Sequence, residues 1–229
     1  MAIYKGNTQI VKIYKGSTPI TRKYKGTSIF YNETKLPSAF QEVEYISASG
    51  TQYIDTTYIP TNNTKVEMAC NFDSVDTAIM YHGVADGTGK QVNFGVNGIS
   101  STQIGKFLFS VAVYSKSITP SDTSKHLFTI DMQNMYCAVD STTESWADGG
   151  QQLGEVTHSF TIFGKNGSSM LQYVSGKVYY CKFYDSGVLT HNFIPCYRKA
   201  DNVIGLYDTI DGIFYTNAGS GTFGKGSDV

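Results

Sequence analysis

Charge, tryptophan and long apolar runs are what this chain has least of. Charged residues make up 16% of its 229 positions, against about a quarter in ordinary soluble proteins. Solubility therefore rests on Ser, Thr, Asn, Gln and Gly. A net charge of −1 offers nothing to a phosphate backbone or an anionic bilayer, so no nucleic acid partner is expected. No run approaches the roughly 20 apolar residues of a membrane span. The opening MAIYKGNTQI also lacks the apolar stretch of a secretory signal. Together these predict synthesis in a cytoplasm, with no signal-led export and no membrane insertion. The four cysteines, Cys70, Cys137, Cys181 and Cys196, stand far apart with no CxxC pair. They read as small buried hydrophobes in strands, not as a disulfide or metal framework.

Catalytic groupings are equally scarce. The histidines His82, His126, His158 and His191 show no metal-ligand spacing and no HExxH, and no GxSxG accompanies them. Glu42-Val43-Glu44 puts two acids on one face of a strand, but the alternating acids of a sandwich glycosidase need a further member. Gly219-Ser220-Gly221-Thr222-Phe223-Gly224 matches GxGxxG by letter, yet the helix and distal acid that a dinucleotide site requires do not follow. Gly224-Lys225 is followed by Gly226, where a P-loop needs Ser or Thr to hold its metal. The expectation is a protein that is not an enzyme and needs no cofactor. Calcium is the ion its loop acids would suit, with Asp73 and Asp76 of Asp73-Ser74-Val75-Asp76 as the hard oxygen ligands.

What is abundant is aromatic and strand-forming: 17 Tyr and 13 Phe beside a single Trp, rings that pack well on a half-buried pleated surface. Alternation predicts strands at Lys65 to Phe72, Ala78 to Tyr81, Gln91 to Val96, Lys106 to Tyr114, His126 to Met132, Met135 to Val139, His158 to Gly164 and Lys177 to Tyr184. From Gly176 to Gly226 aromatic and aliphatic residues alternate with polar ones between Asp-Ser-Gly, Pro, Asp-Gly and Asn-Ala-Gly turns. No window carries a 3.6-residue stripe of useful length. The pattern predicts an all-β chain, a two-sheet antiparallel jelly-roll sandwich.

The first thirty residues repeat. Tyr4, Tyr14 and Tyr24 fall ten apart, each followed by Lys-Gly. Gly6-Asn7, Gly16-Ser17 and Gly26-Thr27 are Gly-X pairs suited to type II′ hairpin turns. Pairing Lys5 with Thr8, Lys15 with Thr18 and Lys25 with Ser28 builds a ribbon of three or four strands. One face of it collects Tyr4, Val11, Ile13, Ile20, Tyr24, Ile29 and Tyr31. Pro19 within a strand points to an edge. So small a ribbon cannot bury that face alone: it must lie on the main domain as a packed meander, on another copy or on a partner surface, and residues 1–35 are expected to be an attachment or oligomerisation segment. Leu36-Pro37-Ser38 is the linker, and residues 36–229 are the main domain.

Glu44-Tyr45-Ile46 with Gly50-Thr51-Gln52-Tyr53-Ile54-Asp55-Thr56 resembles the first strands of concanavalin A-like, laminin-G-like jelly rolls, in the version found in virion proteins of bacteriophages. Gly176-Lys177-Val178-Tyr179-Tyr180, Phe183-Tyr184-Asp185, Phe193-Ile194-Pro195-Cys196, Ile204-Gly205-Leu206-Tyr207-Asp208 and Phe214-Tyr215-Thr216-Asn217 extend the likeness over 36–226. The front decapeptides resemble repeats of phage tail and fibre proteins. The resemblance implies a virion structural protein, a fibre, knob or capsid or tail decoration, made in the host bacterial cytoplasm. Its partners would be other virion proteins, and a homotrimer is the expected state. The alternative is a receptor-binding lectin that reads a host cell-surface glycan. Sugar binding needs an exposed ring beside polar groups, for which Trp146, in a polar loop, comes first and Tyr81, His82 and Asp86 next; for Trp146 a ring folded down over the sandwich edge is an equal alternative.

Overall fold

The computed structural model describes residues 36–146, 152–167 and 172–229 in full and, before Leu36, the backbone of six short strands. The chain divides into two compact units, Met1–Ala39 and Phe40–Val229.

In the first unit the hairpin registers are those the Gly-X turns dictate: Lys5 opposite Thr8, Lys15 opposite Thr18 and Lys25 opposite Ser28. Among the described residues the hairpins do not join into one continuous ribbon. Tyr4–Lys5 pairs with Thr8–Gln9, Ile13–Lys15 with Thr18–Ile20, and Arg22–Lys25 with Ser28–Asn32, each as a separate two-stranded sheet. The third ladder is broken by a register shift between Lys23 and Tyr24, and such a bulge interrupts the strict alternation a shared face needs. Pro19 sits opposite Tyr14 in a hairpin with no further strand beside it among the described residues, which suits a missing N–H. Val11 and the side chains of Tyr4, Ile13, Ile20, Tyr24, Ile29 and Tyr31, the expected assembly face, lie outside the described residues.

The second unit is an all-β sandwich, with no helix among the described residues, hence none able to cross a membrane. Its larger sheet runs Thr142–Ser145, Tyr136–Val139, His126–Asp131, Thr64–Phe72, Ser175–Asp185, Val188–Arg198, Ile204–Asp208, Ile213–Thr216. Phe40–Glu42 pairs with Val188–Arg198, while Ile46–Ser49 bridges Ser175–Asp185 and Gly224–Lys225. The Glu42-Val43-Glu44 segment is thus an ordinary strand entrance, with Val43 2% exposed in the core. The smaller sheet runs Tyr114–Ile118, Phe107–Val111, Gln91–Asn97, Ile79–Ala85 and Lys165–Asn166, antiparallel except for the last pair.

Alternation sets what each sheet buries. Val92, Phe94 and Val96 point inward from one strand, and Phe107, Phe109 and Val111 from its neighbour. They meet Phe72 and Phe128 of the larger sheet, with Phe94 stacked on Phe128 at 4.8 Å between centroids and Phe107 edge-on to Phe128 at 4.9 Å. Each such ring contributes about 1.5–3 kcal/mol by leaving water, so this cluster holds the sheets together. All four cysteines are free and buried in strands.

Three expected strands are wrong in extent: Ala78 to Tyr81 falls short of the Ile79–Ala85 strand, and two others differ by more. Lys106 to Tyr114 is two strands, because the chain reverses at Ala112, which has φ of 50°. That is the first central position of a II′-like turn, normally glycine. His158 to Gly164 shrinks to Thr161–Ile162, since Thr157 and His158 are held by Asp86 and Phe163 turns at φ 69°.

Candidate functional site

On the outward face of the smaller sheet, register places Tyr81, Gly95, Leu108 and Ser117 in one row across four strands. Gly95 gives the row its gap: a Cβ there would stand 1.9 Å from the Met80 carbonyl oxygen and 2.8 Å from the Tyr81 Cα, so only glycine is admitted. Asn97, two residues on, projects from the same face, and the loop after it brings back Gln103. Together with Ser110, Ser115 and Lys116 they line a cleft of about 250 Å³.

The polar groups around this cleft are partly engaged, and two amide oxygens are buried beneath it. Asn97 Oδ1 and Gln103 Oε1 are buried atoms with no hydrogen-bond partner. A buried carbonyl oxygen left so costs about 1–3 kcal/mol unless something donates to it. The Tyr81 side chain is 9% exposed, and burial pushes its hydroxyl up to about 12, so it remains a protonated donor throughout the ordinary pH range. Lys165 Nζ stands 4.9 Å from the Tyr81 ring centroid, a cation–π contact that steadies the ring. Ser110 and Ser115 hydroxyls lie 3.5 Å apart, and Lys116 reaches Glu144 at 4.0 Å.

A larger cleft, about 400 Å³, lies between residues 201–204 and 216–223, but its most polar side chains are already engaged. Asp201 holds Arg198 through two nitrogens. Asn217 Oδ1 accepts from Tyr53 N and Gly219 N, and its Nδ2 donates to the Gly221 carbonyl. The glycines matching GxGxxG are the turn that Asn217 organises. Size favours this cleft; the exposed Ser115 and Ser117 hydroxyls beside Tyr81 and Leu108 distinguish the smaller one.

Of the residues singled out by sequence, Tyr81 alone lines the smaller cleft. Trp146 is 2% exposed and packed in the core, so its ring offers no face to a sugar; it is folded down at the end of Thr142–Ser145. His82 follows Tyr81 and therefore points to the opposite face, fully buried among Phe72, Phe94 and Phe163. Asp86, with a side chain 5% exposed, fastens a loop instead of facing a ligand. It accepts from Thr157 N at 2.6 Å, Thr157 Oγ1 at 3.1 Å, His158 N at 3.0 Å and His158 Nδ1. Burial raises its pKa, but these donors outweigh that and leave it lowered.

Asp73 accepts from the Ser175 hydroxyl at 2.7 Å, and among the described residues neither it nor Asp76 belongs to a cluster of three such ligands. Among the described residues the acids and histidines close enough to share an ion are His191, Asp208 and Asp211. Sequence reading passed over this group because its members are far apart along the chain. Its centre is a turn: Asp208, 0% exposed, accepts from Asn192 N and Ile210 N at 3.0 Å each and from His191 Nδ1 at 2.7 Å. Those donors already occupy the carboxylate. Asn97 was legible in principle, since Val92, Phe94 and Val96 fix the inward parity of its strand; Gln103 sits in a loop that carries no such signal.

The chain matches no known protein family and no curated relative.

Proposed function

We propose that this chain is a structural protein of a bacteriophage particle, a fibre, knob or capsid or tail decoration in which the hairpin repeat attaches or trimerises and the sandwich is the displayed module. The observation that carries it is the first unit itself: three hairpins with the same register beside each Gly-X pair, in a unit of its own. A two-stranded hairpin is marginal in water, and units below about 40 residues usually need an oligomer, a metal or a disulfide. The first 39 residues contain no cysteine, so no disulfide can supply the missing stability, and a second copy or a partner surface is the proposed source. Other virion proteins are the proposed partners.

An antibody raised against the chain tests this directly. It should decorate intact particles of the phage that encodes the protein, in electron micrographs, at symmetry-related positions. Label found only in the lysate of infected cells, and never on particles, would contradict the proposal.

A second reading, recognition of a host-surface glycan, is favoured by the exposed Ser115 and Ser117 hydroxyls set beside Tyr81 in the outer-sheet cleft.

A further inference from the structure

We infer that the first unit of one copy docks on the open edge strand Thr142–Ser145 of a second copy's sandwich, adding a basic strand to an acidic sheet edge. The inference rests on the assembly reading and adds the surface that receives the repeat.

Charge names the occupant. Residues 1–39 hold seven Lys or Arg and one acid, Glu33, for a formal charge of +6. Residues 40–229 hold eleven Lys or Arg and eighteen acids, for −7. The near-zero charge of the whole chain conceals two units of opposite sign, so a second copy supplies the counter-charge to each. A contact between unlike surfaces runs head to tail, and three copies can close it into a ring.

Backbone chemistry names the place. Thr142–Ser145 ends the larger sheet, with all four residues exposed and no strand beyond it among the described residues. The Trp146 N–H donates to the Met135 carbonyl. Antiparallel alternation then turns the backbone groups of Glu144 and Thr142 into the ladder and those of Thr143 and Ser145 outward, so two N–H and two C=O groups stand open to a further strand. The edge is acidic: Glu144 lies on it, Asp140 in the turn that enters it, and Asp122 shares His126 with Asp140. These side chains are 46%, 53% and 54% exposed, and Lys116, 4.0 Å from Glu144, and His126 answer them only in part. Acids on an edge oppose its pairing with a like edge and admit a basic one. In the first unit, Arg22–Lys25 reads RKYK, three cations in four residues, and pairs on one side only, with Ser28–Asn32.

The test is sedimentation equilibrium of the full chain and its variants. The parent should associate in about 0.05 M salt and about tenfold more weakly in about 1 M, where the Debye length falls to about 3 Å. Thr143→Pro removes one outward N–H and no ladder bond. It should weaken association about tenfold, the scale of one lost hydrogen bond, with an unchanged melting temperature. Glu144→Lys and Lys25→Glu should each weaken association too, and the chain carrying both should regain it, since every contact again joins unlike charges. Reversals that weaken association with no recovery in the double variant overturn the charge pairing. Association unchanged in Thr143→Pro and in both single reversals overturns the docking edge and leaves assembly through the repeat standing. A parent of single-chain mass at every concentration overturns both; if that monomer also shifts duplex DNA in a gel, the basic unit's partner is a polyanion and not a second copy. None of these results touches whether the protein is mounted on a particle, which the antibody reads separately.

Discussion

The backbone N–H of Phe163 donates to Nδ1 of His82 at 3.0 Å, which makes Nε2 the protonated nitrogen and leaves it buried without a partner. Burial pulls the His82 pKa down to about 3 from 6.5. Unfolded, the ring takes a proton near 6.5; folded, it stays neutral to about 3. Between those values the unfolded chain binds more protons, so this contribution is whole above pH 6.5 and falls as pH falls, by about 1.4 kcal/mol per unit. In His82→Phe the urea-derived stability should slope less steeply with pH across that window by this amount. It should also start lower, by about 1–3 kcal/mol for the orphaned Phe163 N–H. Equal slopes in parent and variant would contradict the assignment.

His126 has the opposite sign. Burial lowers its pKa, but hydrogen bonds and charge from Asp140 and Asp122 outweigh burial and leave it raised. Nδ1 meets Asp140 at 2.7 Å and Nε2 meets Asp122 at 3.1 Å. Its stabilisation is therefore complete below about pH 6.5 and is lost as pH rises through the raised value. Asp140→Asn should lower the His126 pKa in an NMR titration, moving its midpoint to lower pH. A midpoint that stays where it was in the parent would show that Asp140 does not hold the ring.

Much of this architecture is legible in the sequence because strand parity and turn chemistry are local. The hairpin registers follow from Gly-X pairs alone, and the inward row Val92, Phe94, Val96 follows from alternation. What was not legible needed partners distant in sequence. Trp146 reads equally as an exposed loop ring and as one folded over the sandwich edge until the core closes over it. Tyr81 and His82 read as one site until pleating sends them to opposite faces. The reversal at Ala112 has no glycine to announce it, and Gln103 joins Asn97 only because a loop folds back.

Asp208 should be the costliest exposed-looking acid to remove. Asp208→Ala strands two backbone N–H groups and the His191 imidazole in a site that is 0% exposed at the carboxylate, a loss of about 3–5 kcal/mol. Asp211→Ala, on a side chain 45% exposed and 3.4 Å from the same nitrogen, should change stability by no more than about 0.5 kcal/mol. Urea unfolding of both variants checks the pair; similar losses in the two would mean that the group works as a unit.

Gly95→Ala should open the smaller sheet. The added Cβ meets backbone, the Met80 carbonyl oxygen at 1.9 Å, so no side chain can move aside to relieve it. A loss on the order of 3 kcal/mol is expected, read as a lower melting temperature. A melt equal to that of the parent would contradict the close strand approach on which the cleft's shape depends.

The central claim is that the hairpin repeat is an assembly device, and the mass of the intact chain in solution tests it most directly. Sedimentation equilibrium should give about 75 kDa, three times the 25.1 kDa of one chain, and Ile13→Asp with Ile20→Asp, residues paired across the second hairpin, should return it to a single-chain mass. A parent protein that sediments at the mass of one chain at every concentration would contradict self-assembly through the repeat.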